Sequence, residues 1–219
     1  MEHLTLADEI VVLMLDDETG AIRPLCAGFA NVAIAGGILM ELALLARIDT
    51  DLKSLYVIDP KPVGDEMLDS ALQEIAAEPR HDGSKSWIRH FAFHKGDLTS
   101  HVLERLVRAG ILRAEDRRLL WMFSRRAYPQ NTGREEREAK GRLLAVVFDD
   151  AIPSPRDTLL LSLADSSGVL DAILSADELR KASKRIEQVV AFEEIGRSVK
   201  AVEAEIRLQI EIASIARPM

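Results

Sequence analysis

Few residues of this 219-residue chain are of types and spacings that carry out chemistry. Cys26 is the single cysteine and a conceivable nucleophile beside one of five histidines, but a lone cysteine in an apolar setting is ordinarily buried and inert. His90 and His94 have the i, i+4 spacing that binds zinc on a helix. The segment HFAFH lacks the glutamate of a metalloprotease helix, so it is read as an ordinary helix face. Asp8-Glu9, Asp16-Asp17 and Asp149-Asp150 are carboxylate pairs. Adjacent residues on a helix do not face each other, so none reads as a general acid/base pair. Phosphate loops, dinucleotide fingerprints and nucleophile elbows are missing from the sequence. These observations point to a non-catalytic protein with no cofactor and no metal.

One charge feature stands apart. Seven arginines lie between Arg105 and Arg126 against two acids, Glu115 and Asp116, a local balance of +5 in a chain of net charge −8. Arginine suits bidentate recognition of phosphate. With Trp121, Phe123 and Tyr128 interleaved, the segment fits a lipid headgroup layer, where aromatic rings and cations sit together. Arg125, Arg126, Trp121, Phe123, Tyr128 and Arg134 are the candidate lipid-binding residues. The overall acidity argues against nucleic acid as a partner.

The elements that must position these residues are mostly helical. The composition is 47% hydrophobic and 5% aromatic, which favours a Leu/Ile/Val/Ala helical core over a sandwich of strands. The stretch Phe29 to Ile48 reads, from Ile38 onward, as a helix apolar on nearly every face. With Glu41 near its middle it is expected at the centre of a soluble core rather than in lipid. Gly36-Gly37 would let another backbone approach closely. Residues 4–15 read as an amphipathic helix capped by Thr5 with Asp8 three residues later. Asp16 to Gly20 is a turn, Arg113 to Arg118 a charged turn, and Leu119 to Phe123 a strand-like run. Leu143, Leu144, Val147 and Phe148 are expected to point inward, and Ser166 to Gly168 to interrupt a buried helix. The expected fold is mainly α, with residues 1–219 as a single helical domain, a central buried helix and one small protruding β-hairpin. The first apolar run is short and follows acids, so the default location is cytoplasmic.

In order and spacing, LTLADEIVVLMLDDETG, GGILMELALLARI, VGDEMLDSALQEI, ERLVRAGIL, RRLLWMF with a Tyr-Pro turn, and RDTLLLSLADSSGVLDAIL resemble the Golgi phosphoprotein 3 family from about Leu4 to Val190. The resemblance implies a helical core, peripheral binding to phosphatidylinositol 4-phosphate, and an adaptor role toward protein clients. It also implies a hairpin, expected around Trp121 to Arg134, for membrane contact and self-association. The headgroup-pocket residues of that family, one tryptophan and three arginines, fall on Cys26, Ala35, Gly96 and Thr99 in this chain, and none matches. The expected function is therefore that of a peripheral protein binding phosphoinositide or other anionic phospholipid at the cytosolic membrane face. The alternative is a protein-interaction or regulatory scaffold that has lost the lipid pocket.

Overall fold

A computed structural model describes residues 4–51, 54–78, 83–119, 123–149, 152–191 and 193–215, the side chains of 116–119, 123–126 and 210–215 excepted. In chain order its elements are α1 (Leu6–Met14), α2 (Pro24–Ala27), α3 (Ala30–Leu44), β1 (Ile48–Thr50), β2 (Leu55–Val57), α4 (Glu66–Ala77), α5 (Ser84–His94), α6 (Leu98–Arg108), β3 (Glu115–Leu119), β4 (Phe123–Ala127), α7 (Arg134–Phe148), α8 (Pro155–Ser166), α9 (Val169–Ile173), α10 (Ala176–Val190) and α11 (Glu194–Ile215). The protein is mainly helical, as its composition implies.

The centre is a pair of helices, α1 and α3. Thr5 caps α1: its hydroxyl accepts from the Asp8 amide, and the Asp8 carboxylate accepts from the Thr5 amide, a reciprocal box. α3 is buried from Ala30 through Leu42 except at Asn31, which is half-buried. The two glycines explain how closely its neighbours approach. A Cβ on Gly37 would stand 3.0 Å from the Ala7 nitrogen of α1, and one on Gly36 would stand 2.4 Å from a Val199 methyl of α11.

α1 departs from its expected amphipathic character, because every one of its residues is buried, Asp8 and Glu9 included. Three arginines from other helices offset those charges. Arg105 of α6 donates to Asp8 at 2.9 Å through Nε and to the α4 cap Asp65 at 2.8 Å. Arg142 of α7 pairs with Glu9 and, at 3.1 Å, with Asp157, the capping-box acid of α8. Arg156 of α8 pairs with Glu9 at 3.1 Å and with Glu41 at 3.0 Å. Glu41 also accepts the Leu6 amide at 2.7 Å, so the acid in the middle of the apolar α3 is fully engaged. A buried ion is stable only with such partners. Burial still raises the Glu9 carboxyl above its ordinary range, against the lowering effect of Arg156 and Arg142.

Other local expectations meet mixed outcomes. Gly20 takes φ +63 in the turn after α1, and the break at Ser166 to Gly168 separates α8 from α9. Asp97 caps α6. Leu143 and Val147 are buried, whereas Phe148 is 42% exposed at the end of α7. Among the described residues a second two-stranded sheet accompanies the hairpin, since the acidic stretch after α3 supplies β1, paired antiparallel with β2. Among the described residues no helix is long and apolar enough to cross a membrane.

Candidate functional site

The expected hairpin exists but is shifted along the chain. Its arms are β3 and β4, not Trp121 to Arg134. Of the apolar run expected as a strand, Leu119 ends one arm and Phe123 begins the other, and they pair with each other. Trp121 lies outside the described residues. The stretch expected to be a charged turn supplies the first arm, and the arms carry arginine along their length. Asp116 stands opposite Arg126, Arg117 opposite Arg125, and Arg118 opposite Ser124.

The hairpin makes its main contacts within itself, and its base is fastened to the helical body by backbone hydrogen bonds. Arg113 N–H donates to the Pro129 carbonyl at 2.9 Å, Asn131 N–H to Ile111 at 2.9 Å, and Tyr128 N–H to Gly20 at 2.7 Å. Leu112 and Gln130 form an isolated bridge below the arms. The Gln130 amide donates to the buried Glu136 at 2.8 Å. Tyr128 is half-buried against the core at this base. Arg134 opens α7, exposed, with its guanidinium on Glu138 at 2.7 Å. Of the six candidates, Phe123, Arg125 and Arg126 share one strand, while Tyr128 and Arg134 stand at and beyond its base. Arg117 and Arg118, which complete the cluster, were absorbed into the expected charged turn and so missed. The signal was present in EDRRL, five residues on one side of a short reversal with SRRA on the other.

The other candidates are accounted for by packing. Cys26 is fully buried in α2, and burial pushes its thiol up to about 11, so it is not a nucleophile at neutral pH. His90 is engaged by Glu74, and His94 approaches the His90 carbonyl at 3.3 Å with the two rings stacked. Among the described residues no group of three His, Cys, Asp or Glu side chains is placed to hold a metal ion.

Ala35 is buried in α3, and Gly96 takes φ +79 in the turn before α6. The Thr99 amide and hydroxyl both donate to Asn31 Oδ1, at 3.0 and 2.7 Å. An uncharged clasp between α3 and α6 thus occupies part of the region where the resemblance leads one to expect arginines. A cavity of about 730 Å³ lies beside the start of α1, but its charges are compensated within the protein. Arg47, Arg105 and Arg156 on its wall meet Asp59, Asp8, Asp65 and Glu41.

A helical body built on a buried central helix, with a hairpin fastened at one side, is the architecture the resemblance implies. The family model for Golgi phosphoprotein 3 (GPP34) matches residues 6–206, and the chain belongs to that family. No curated protein matches the chain.

Proposed function

We propose that this Golgi phosphoprotein 3-like protein is a non-catalytic, peripheral membrane protein that binds phosphatidylinositol 4-phosphate or other anionic phospholipid through its hairpin. The observation that supports this most is the placement of Arg117, Arg118, Arg125 and Arg126 on a hairpin that packs mainly on itself, in a chain of net charge −8. In the protein body Arg105, Arg142 and Arg156 are committed to the buried carboxylates of Asp8, Glu9 and Glu41. A basic residue near an anionic bilayer contributes about 1 kcal/mol, so a few on one small element suffice for reversible attachment. The neutral Asn31–Thr99 clasp supports moving phosphate recognition away from the family's pocket and onto the hairpin.

The test is sedimentation with vesicles of phosphatidylcholine alone, with added phosphatidylserine, and with added phosphatidylinositol 4-phosphate, at low and high salt. Binding to the two anionic compositions, lost at high salt and weakened about tenfold or more by Arg125→Ala with Arg126→Ala, is the expected result. Failure of the unmodified protein to bind either at low salt would refute the proposal and leave the scaffold alternative.

A further inference from the structure

Glu136, in the first turn of α7, is buried, and two groups meet its carboxyl. The Gln130 amide donates to Oε2 at 2.8 Å, and the Asp17 carboxyl lies in hydrogen-bonding contact. Among the described residues no cation is paired with Glu136. Lys140, one turn along α7, acts on it only at longer range and acts on Glu178 of α10 as well. Arg137 is held by the Thr132 carbonyl, and Arg142 by Glu9 of α1 and Asp157 of α8. Asp17 is placed differently: its side chain is 61% exposed and Arg23 stands 4.0 Å away. Two carboxyl groups in contact cannot both ionise without cost, and the buried one is where the proton stays. Burial, with Asp17 adding to it, accordingly raises the Glu136 carboxyl above its ordinary 4.5, against lowering by Gln130 and Lys140.

The two partners of Glu136 belong to the two pieces of chain that meet at the hairpin base. Asp17 sits in the turn after α1, where the Thr19 amide donates to Asp16 Oδ1 at 2.8 Å and the Gly20 carbonyl accepts the Tyr128 amide at 2.7 Å. Gln130 follows Tyr128 by two residues and bridges to Leu112. We propose that Asp17 and Glu136 share one proton and form a pH-operated latch, closed while the proton is bound, that fastens the turn after α1 and the start of α7 to the hairpin base. In the closed state the Glu136 carboxyl donates its O–H to the Asp17 carboxylate while Oε2 accepts from Gln130, so the only charge of the pair lies on the exposed residue beside Arg23. When the proton leaves for solvent, two anions face each other and the turn is repelled from α7. A carboxyl raised on closure favours the closed state fully below 4.5, and the advantage is lost as pH rises through the closed-state value. The latch sets how firmly the base is held, independently of what the hairpin binds.

The test follows the carboxyl carbon NMR signals of Asp17 and Glu136, and the amide hydrogen exchange of Tyr128 and Asn131, from about pH 4.5 to about pH 8. Exchange is corrected for its chemical dependence on pH, and the unmodified protein is compared with Glu136→Gln and Asp17→Asn. Glu136 should titrate above 4.5 in the unmodified protein. Its titration should move down in Asp17→Asn, where an amide donates to the ionised carboxylate in place of a second anion. Opening of the base in the unmodified protein should increase by up to about tenfold per pH unit between 4.5 and the Glu136 value. Glu136→Gln, whose amide donates to Asp17 at every pH, should show no such increase. A Glu136 titration at or below 4.5 overturns the inference, and because it is read in the unmodified protein that outcome stands even if a variant fails to fold. A raised titration that does not move in Asp17→Asn assigns the effect to burial alone and overturns the shared proton. An equal increase of exchange with pH in Glu136→Gln overturns the latch.

Discussion

Glu41 and Arg156, separated by 115 residues, meet at 3.0 Å in the interior and between them hold the first turn of α1. Glu41 Oε2 accepts the Leu6 amide, and the Arg156 guanidinium donates to the Leu4 carbonyl, so both backbone polar groups at the helix start are satisfied by one ion pair. Removing one partner of a buried pair leaves the other uncompensated and costs about 3–5 kcal/mol. Arg156→Met should destabilise the protein by that amount in denaturant titration. Glu41→Gln, which keeps an acceptor for Leu6 but loses the charge, should cost less in the Arg156→Met background than alone. Additive costs would show that the two side chains are not energetically coupled.

Two glycines on different helices should respond oppositely to alanine. At Gly37 the added methyl meets backbone of α1, with the Ala7 nitrogen at 3.0 Å and its Cα at 3.1 Å. Neither helix yields without shifting the core, and overpacking of this kind costs about 1–3 kcal/mol. At Gly141, inside α7, nothing lies within 4 Å. Alanine there relieves the entropic penalty of glycine and should stabilise by about 0.5–1 kcal/mol. Equal effects in chemical denaturation would contradict the close approach of α1 and α3.

Glu193 should make stability depend on pH in the direction opposite to most carboxylates. Burial raises its carboxyl above the ordinary 4.5, against lowering by the Gly196 and Ile195 amides, the Ser162 hydroxyl and Arg197. A carboxyl raised on folding holds its proton more tightly in the folded chain. Its contribution is fully present below 4.5 and is lost as pH rises through the folded value. The unmodified protein should therefore gain Tm relative to Glu193→Gln as pH is lowered from neutral toward 4.5. A difference that shrinks over that window would give the wrong sign.

How much was legible depends on the range over which each feature is decided. The Thr5–Asp8 box, the glycine pair in α3 and the break before α9 are local, and their residues announce them. The burial of α1 was not legible: its cations, Arg105, Arg142 and Arg156, come from 97 residues away or more, and periodicity does not see such partners. Arg105 read as a cation suited to the end of its own helix, whereas it serves the start of another. The hairpin was misplaced because its paired arms are rich in charge, against the usual apolar signature of a strand. β1 was hidden for a similar reason, since Asp49 and Thr50 look like turn residues and pair with Tyr56 and Leu55 only in the folded chain.

The position of the hairpin should depend on Gly20, a residue outside it. Gly20 has φ +63, and its carbonyl accepts the Tyr128 amide at 2.7 Å where β4 leaves the ribbon. A Cβ there would stand 2.6 Å from the Pro129 nitrogen and 2.9 Å from the Tyr128 carbonyl carbon. Two penalties combine in Gly20→Ala. A left-handed conformation costs an L-residue about 1–2 kcal/mol, and the methyl collides with backbone that is itself fixed through Pro129 to Arg113. The turn and the hairpin base cannot both keep their places. Hydrogen exchange at Tyr128 and Arg113 should accelerate, and vesicle binding should weaken although no arginine has been touched. Gly28→Ala is the control, because Gly28 has φ −74 and nothing within 4 Å of its Cβ position. Unchanged exchange at Tyr128 in Gly20→Ala would show that the hairpin is positioned by its remaining base contacts, Asn131 to Ile111 and Leu112 to Gln130, and not by the turn after α1.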